Sequence, residues 1–222
     1  MISCRNLQFR YRGEPFELRF EELDVASGET LALVGPSGCG KTTLMNLVSG
    51  VLVPDEGVIE VDGTSLGRLS EGQRQAFRLA NLGMIPQSFE LLDYLTVRDN
   101  ILTPIRLSGR GRVTREETHR AEELAVRSGI ASHLAKYPEQ LSQGERQRVA
   151  LCRGLVREPK VILADEPTGN LDPENQDAIV SLLLEEAERI AATVLMITHE
   201  RELLSRFDGV LDVLALREGG DA

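Results

Sequence analysis

Three places in this chain join residue types that can do chemistry at the right spacing. The first is Gly35-Pro36-Ser37-Gly38-Cys39-Gly40-Lys41-Thr42, which fits G-x-x-x-x-G-K-[ST] at every fixed position. Successive backbone N–H groups in such a loop form a nest for anions, and glycines let the backbone come close to phosphate oxygens. A following helix adds the partial positive charge of its N-terminus. Lys41 would meet the β- and γ-phosphates as a point charge, and the Thr42 hydroxyl would ligate Mg²⁺. A glycine-rich turn with no ligand satisfies the same eight residues, so the flanks must decide.

The second place is Asp165-Glu166, two carboxylates at the end of the apolar run Val161-Ile162-Leu163-Ala164. Successive side chains of a strand diverge, so the two acids can hold different jobs. Asp165 suits Mg²⁺ or its water shell, and Glu166 suits polarising an attacking water. The third is a set of single polar residues just past other apolar runs. Gln87 follows Leu82–Ile85 and Pro86, and His199 follows Thr193–Ile197 and Thr198. Ligand-facing residues gather at such strand ends in α/β sheets. Gln87 reads equally as a solvated loop amide and His199 as a structural histidine. Tyr11 reads either as an adenine-stacking ring or as an edge-strand tyrosine.

The elements that must position these residues follow from periodicity. Thr30–Val34 is a buried strand into the glycine loop. Leu44, Leu47 and Val48 repeat at helical spacing after it, with Gly50 as the C-terminal cap. Ile2–Tyr11 and the Phe16, Leu18, Phe20 alternation predict two half-buried strands around a Gly13-Glu14-Pro15 turn. Val58–Val61 is a further strand ended by Asp62-Gly63, and Glu71–Ala80 a polar amphipathic helix. From Leu91 to about Arg157 the strand signal disappears. Thr96 with Asp99 and Thr114 with Glu117 read as capping boxes, with Gly109-Arg110-Gly111 between them. Gly129 and Tyr137-Pro138 close the second helical stretch, and Ser142 caps a charged helix with Glu145 three residues on. Ile179, Leu182, Leu183 and Ile190 mark another amphipathic helix, and Val210–Leu216 a last strand. The pattern is an α/β core with a helical insertion.

Composition limits the function. A net charge of −10 argues against nonspecific nucleic-acid binding, which needs basic surface to displace counterions. No apolar run approaches the ~20 residues that span a bilayer, and Arg5, Gln8 and Arg10 break any leader pattern. A cytoplasmic chain is expected, held at a membrane only through something else. Cys4, Cys39 and Cys152 lack metal or disulfide spacing. Cys39 is a small residue for a tight loop or a thiol activated by the helix N-terminus; the small-residue reading is preferred.

With these residues in view, the whole chain resembles the nucleotide-binding subunit of an ABC transporter. Residues 35–42 match its Walker A loop, Val161–Asp165 its Walker B strand and Glu166 its catalytic glutamate. Gln87 matches the Q-loop, His199 the switch histidine, Gly169-Asn170-Leu171-Asp172 the D-loop and Tyr11 the aromatic A-loop position. The resemblance implies a single ABC ATPase domain over residues 1–222. Its P-loop NTPase core of mostly parallel sheet would span 1–90 and 158–222, with an N-terminal antiparallel β subdomain, and its helical subdomain 91–157. It implies catalysis by Glu166, His199 and Gln87, and Mg²⁺ at Thr42, Gln87 and Asp165. ATP would be bound by Tyr11, Gly35, Pro36, Ser37, Gly38, Cys39, Gly40, Lys41, Thr42, Thr43, Ser142, Gly144 and Asp172.

It also implies a homodimer, with ATP between head-to-tail copies, on the inner face of the membrane against transmembrane permease subunits. The signature segment reads Leu141-Ser142-Gln143-Gly144-Glu145 where the family usually has Leu-Ser-Gly-Gly-Gln. Ser142 and Gly144, the implied γ-phosphate contacts, are kept. Glu145 suits the helix dipole but brings a negative charge near the nucleotide, so Glu145→Gln is expected to hold turnover or raise it. Residues 87–92 and 163–172 are similar to the lipoprotein-releasing and macrolide-exporter type. A cell-division ATPase shares much of that pattern and stays an alternative, as does a soluble ABC-type ATPase acting on DNA or ribosomes.

Overall fold

The computed structural model describes residues 1–13, 16–109, 112–169 and 171–218. The strands are β1 Ile2–Arg10, β2 Glu17–Val25, β3 Thr30–Val34, β4 Glu56–Val61, β5 Thr64–Ser65, β6 Leu82–Ile85, β7 Val161–Asp165, β8 Thr193–Ile197 and β9 Gly209–Asp212. The α-helices are α1 Lys41–Val48, α2 Glu71–Asn81, α3 Val97–Ile101, α4 Thr103–Leu107, α5 Arg115–Arg127, α6 Gln143–Leu155, α7 Pro173–Arg189 and α8 Val213–Glu218.

Alternation along β1 and β2 builds the first sheet. Leu7 faces Phe20 and Phe9 faces Leu18 across an antiparallel ladder. The sheet order is β2-β1-β4-β5, with every pairing antiparallel. The second sheet, β6-β7-β8-β3-β9, is parallel throughout. Its centre is apolar on both faces, as a covered parallel sheet must be. Val161–Ala164 on β7 and Val194–Ile197 on β8 are all buried. Each such Val, Leu or Ile contributes about 1.5–3 kcal/mol by leaving water. That burial makes the strand tips rigid, and the tips carry the polar residues.

The helices α3 to α6 lie in chain order between β6 and β7. Ala121, Leu124, Ile130, Val149 and Cys152 join the apolar cluster beneath them. The strand β6 and the helix α6 touch backbone to side. A Cβ on Gly83 would stand 2.5 Å from the Gly154 carbonyl oxygen, and one on Gly154 would stand 2.9 Å from Ile85 Cγ1. Glycine at both positions lets this helix lie directly on the strand.

The caps form with one difference. Ser142–Glu145 and Thr114–Glu117 are reciprocal capping boxes. Thr96 caps α3 through the Asp99 N–H, but its hydroxyl donates to the Asp99 carboxylate at 2.9 Å. Asp is one methylene shorter than the Glu of a full box. The last strand is shorter than its apolar run suggests: β9 ends at Asp212, and α8 takes over at Val213. The Asp212 carboxylate accepts the Leu214 N–H at 2.9 Å and turns the chain there. Short apolar runs do not separate strand from helix by themselves. Glu14 and Pro15 of the first turn, Arg110 and Gly111 of the helical separator and Asn170 of the Gly169–Asp172 segment lie outside the described residues.

Candidate nucleotide site

The strand β3 delivers the chain to Gly35, and α1 starts at Lys41. Pro36, Ser37 and Gly38 stand exposed between them, whereas Cys39, Gly40 and Lys41 are buried. Gly40 heads α1 with φ +109°, and a Cβ there would press at 3.0 Å on both Leu18 Cδ1 and Phe16 Cζ. The first sheet therefore backs the loop, and only glycine satisfies both the space and the dihedral. Lys41 Nζ donates to the carbonyls of Gly35 at 2.8 Å and Pro36 at 3.0 Å. Its ammonium is thus held on the inside of the loop, at the head of a helix, where an anion would be drawn.

Thr42 and Asp165 meet. The Thr42 hydroxyl bonds the Asp165 carboxylate, whose pKa burial raises above the usual range despite that bond and the charge of Lys41. Glu166, one residue on, serves other partners. It adopts φ +45°, with its N–H on the Ile197 carbonyl at 3.1 Å. Its carboxylate accepts Gln87 Nε2 at 3.0 Å on one oxygen and has His199 Nε2 at 2.6 Å from the other. A left-handed glutamate is costly for a non-glycine residue and occurs where surrounding structure fixes it. The sheet order explains the meeting: β6, β7 and β8 are adjacent and parallel, with Asp165 level with Ile197. The chain therefore carries Gln87, Glu166 and His199 out past the same sheet edge.

The structure brings Tyr11 to the same loop. Its hydroxyl lies 3.2 Å from Thr43 Oγ1, and its ring packs against Phe9 and Phe16 at centroid distances of 4.9 and 5.9 Å. Cys39 is 4% exposed, which places its thiol inside the loop rather than on its surface.

Ser142, Gly144 and Asp172 are elsewhere. They line a concavity of about 450 Å³ with Gly129, Arg148 and Asn175. Thr42, Gln87 and Asp165 instead line an opening of about 1020 Å³ that runs along α2, α4 and α6 past Arg78, Arg153 and Leu107. Asp172 caps α7, accepting both the N–H and the side-chain amide of Asn175 at 3.1 and 2.7 Å. These two hydrogen bonds hold the Asp172 carboxyl below the usual carboxylate range. Ser142, Gly144 and Glu145 thus line a concavity bordered by none of residues 35–42, whereas Gln143 borders both openings.

One participant had no sequence signal. His133 lies in a single 3₁₀ turn before α6, and its Nε2 is 2.7 Å from Glu145 Oε1. No periodicity or motif marks it. The oxygen donors Thr42, Asp165 and Gln87 suit a hard cation such as Mg²⁺, which takes few protein ligands and shares the rest with phosphates. Among the described residues no cluster of three His, Cys, Asp or Glu side chains could bind a metal by itself.

The sequence pattern of the ABC transporter family matches residues 19–169. A lipoprotein-releasing system ATP-binding protein LolD 2 of Caulobacter vibrioides is 36% identical over 222 residues, covering 99% of this chain and 95% of its own. The ABC transporter ATP-binding protein YtrE of Bacillus subtilis is 39% identical over 188 residues, covering 85% of this chain and 80% of its own. Among solved structures, the dimeric bacterial ABC transporter cassette MJ0796 superposes with a TM-score of 0.86 at 30% identity. That match covers 96% of this chain and 95% of the other. A dimer of the same cassette, in a post-hydrolysis state bound to ADP and Pi, superposes equally well at 29% identity.

Proposed function

The chain belongs to the ABC transporter family, and on that premise we propose that it is an ATP-hydrolysing subunit that drives a membrane permease of the lipoprotein-releasing or export type. Two copies would pair head to tail on ATP. The Lys41 loop of one copy would hold the phosphates, and Ser142 and Gly144 of the other would close over the γ-phosphate. The observation that carries this reading is the Glu166 carboxylate, held between Gln87 and His199 beside the Thr42–Asp165 pair.

The loop amides and Lys41 would bind and orient the triphosphate, with the ammonium moving from loop carbonyls to phosphate oxygens. Thr42, Asp165 and Gln87 would hold Mg²⁺, which supplies charge neutralisation on the phosphates when bound. Glu166 would take the proton of the attacking water, while the P–O bond to ADP breaks and phosphate leaves. Gln87 and His199 fix both oxygens of Glu166, and His199 would also reach the γ-phosphate. Tyr11 would face the base, and Asp172 would lie at the paired interface. Within this reading 91–157 is a helical subdomain on a core of 1–90 and 158–222. Among the described residues no helix is long and apolar enough to cross a membrane; in this reading permease subunits would supply the membrane-spanning part.

The test is a tagged Glu166→Gln variant, assayed for turnover and recovered from detergent-solubilised membranes with ATP present. ATPase should fall roughly 10²–10⁴-fold, the loss expected for a removed general base, and an ATP-bound dimer should persist with a polytopic permease. Wild-type turnover in the variant would remove Glu166 from its role. Recovery only with ribosomal or DNA-repair proteins would replace the membrane reading by a soluble one.

A further inference from the structure

The head of α6 carries an electrostatic problem and a group that answers it. Glu145 Oε2 accepts both the Ser142 N–H and the Ser142 hydroxyl, each at 2.7 Å. A serine hydroxyl has one proton, and here it is committed to a carboxylate of its own chain. Ser142, Gln143, Gly144 and Glu145 of the same first turn line the 450 Å³ concavity. A phosphate arriving there would meet the Glu145 charge and would compete for the Ser142 proton. The other carboxylate oxygen, Oε1, lies 2.7 Å from His133 Nε2, and both side chains are largely covered, at 17% and 32% exposure.

We propose that His133 is a positioning residue for nucleotide closure: it draws the Glu145 carboxylate back by holding its Oε1, so that Ser142 can turn its hydroxyl to a phosphate held by a second copy of this chain. The inference rests on the paired-cassette reading above and names the group in this chain that makes its altered signature segment workable. Glutamine in place of Glu145 would carry no charge and would need no partner. With glutamate, the partner comes from the turn at Ala131–His133, which the backbone ties to α5 through the His133 N–H on the Ile130 carbonyl and the Ile130 N–H on the Ala125 carbonyl. The other charged groups around this concavity are Arg148, one turn along α6, and Asp172 at the head of α7. Lys136 shares the His133 turn through its N–H on the His133 carbonyl. Only His133 touches Glu145 among the ion pairs of the described residues.

The experiment is a double-mutant cycle read as KM for ATP against kcat. Wild type, His133→Ala, Glu145→Gln and the double variant are assayed at pH 7, with ATP-dependent dimerisation followed by size exclusion. His133→Ala should raise KM about fivefold and keep kcat at saturation within about twofold, because closure is weakened and the chemical step is not. Glu145→Gln should not raise KM, and in its background His133→Ala should change KM by less than about 1.5-fold, which is the signature of coupled residues. The same KM penalty in both backgrounds would make His133 a structural residue and overturn the proposal. No KM penalty in an otherwise active His133→Ala protein would overturn it alone. A wild type that neither dimerises nor turns over with ATP would remove the paired-cassette reading first, and this inference with it.

Discussion

The Lys41 loop joins β3 to α1, in which six of eight residues are buried, whereas Ser142 heads a helix whose first turn is open to solvent. In the first region core packing sets the geometry. Gly40 has no room for a methyl group, and the Thr42–Asp165 and Glu166 contacts sit on buried strands. In the second, position is set by a capping box and an ion pair, all within one or two turns. Packing holds atoms to tenths of an ångström and resists change, while caps and charges hold them more loosely and respond to solvent. Under the proposed pairing of two copies, this contrast would set a pre-formed phosphate grip against an adjustable lid.

The largest expected effect is on the packed side. Lys41→Ala should weaken ATP binding by up to roughly a hundredfold, since a charge-assisted contact is worth up to about 3 kcal/mol. Isothermal titration checks it, with thermal melting to show that the chain still folds. Ordinary ATP affinity in this variant would mean that the loop amides suffice and that the grip is less specialised than its burial suggests.

The next prediction strikes the joint between the two regions. Gly83→Ala forces a methyl group onto the Gly154 carbonyl, 2.5 Å from where its Cβ would stand. Overpacking of this kind costs about 1–3 kcal/mol, read as a lower denaturation midpoint. It should also impair turnover more than ATP binding, because α6 moves relative to β6 while the Lys41 loop does not. Equal losses in both would show that the two regions are one rigid unit, and the contrast above would fail.

The open side should yield smaller numbers. Ser142→Ala removes the cap of α6 and should cost about 1 kcal/mol of stability. Its effect on ATP-dependent dimerisation should exceed its effect on nucleotide binding by a single copy. Stronger damage to monomer binding than to pairing would place Ser142 on the wrong side of the site.

The contrast also explains what could be read from the sequence. Strand–loop–helix around Gly35–Thr42 is local, so Thr30–Val34 and the helix after it were legible from periodicity and glycine spacing. The caps Ser142, Thr114 and Thr96 were legible for the same reason. The meeting of Gln87, Glu166 and His199 depends on sheet order, which no local window contains; it came from resemblance, and the geometry then supplied the distances. The strand-to-helix change at Asp212 depends on one side-chain hydrogen bond inside an apolar run. His133 has no periodic neighbour and no motif, and it acts through a residue 12 positions away only because the chain folds back at Ile130.

The smallest expected effect isolates the charge on the open side. Glu145 has its pKa lowered, first by the Ser142 hydroxyl and then by the Ser142 N–H, with His133 adding a further pull. An acid that is stronger in the folded chain stabilises the fold while ionised. That contribution is complete above the unfolded value of about 4.3 and is lost as pH falls through the lower folded value. Glu145→Gln should therefore melt slightly below wild type at pH 7, and the gap should close as pH drops below about 4. Asp165 works in the opposite sense, because burial raises its pKa and ionisation costs stability. Asp165→Asn should accordingly melt above wild type at pH 7 even though it disables the proposed Mg²⁺ site. Melting curves of the two variants at pH 7 and pH 4 test both signs together. Shifts in the same direction at pH 7 would show that the packed and open carboxylates are stabilised alike, which is the outcome that the two environments forbid.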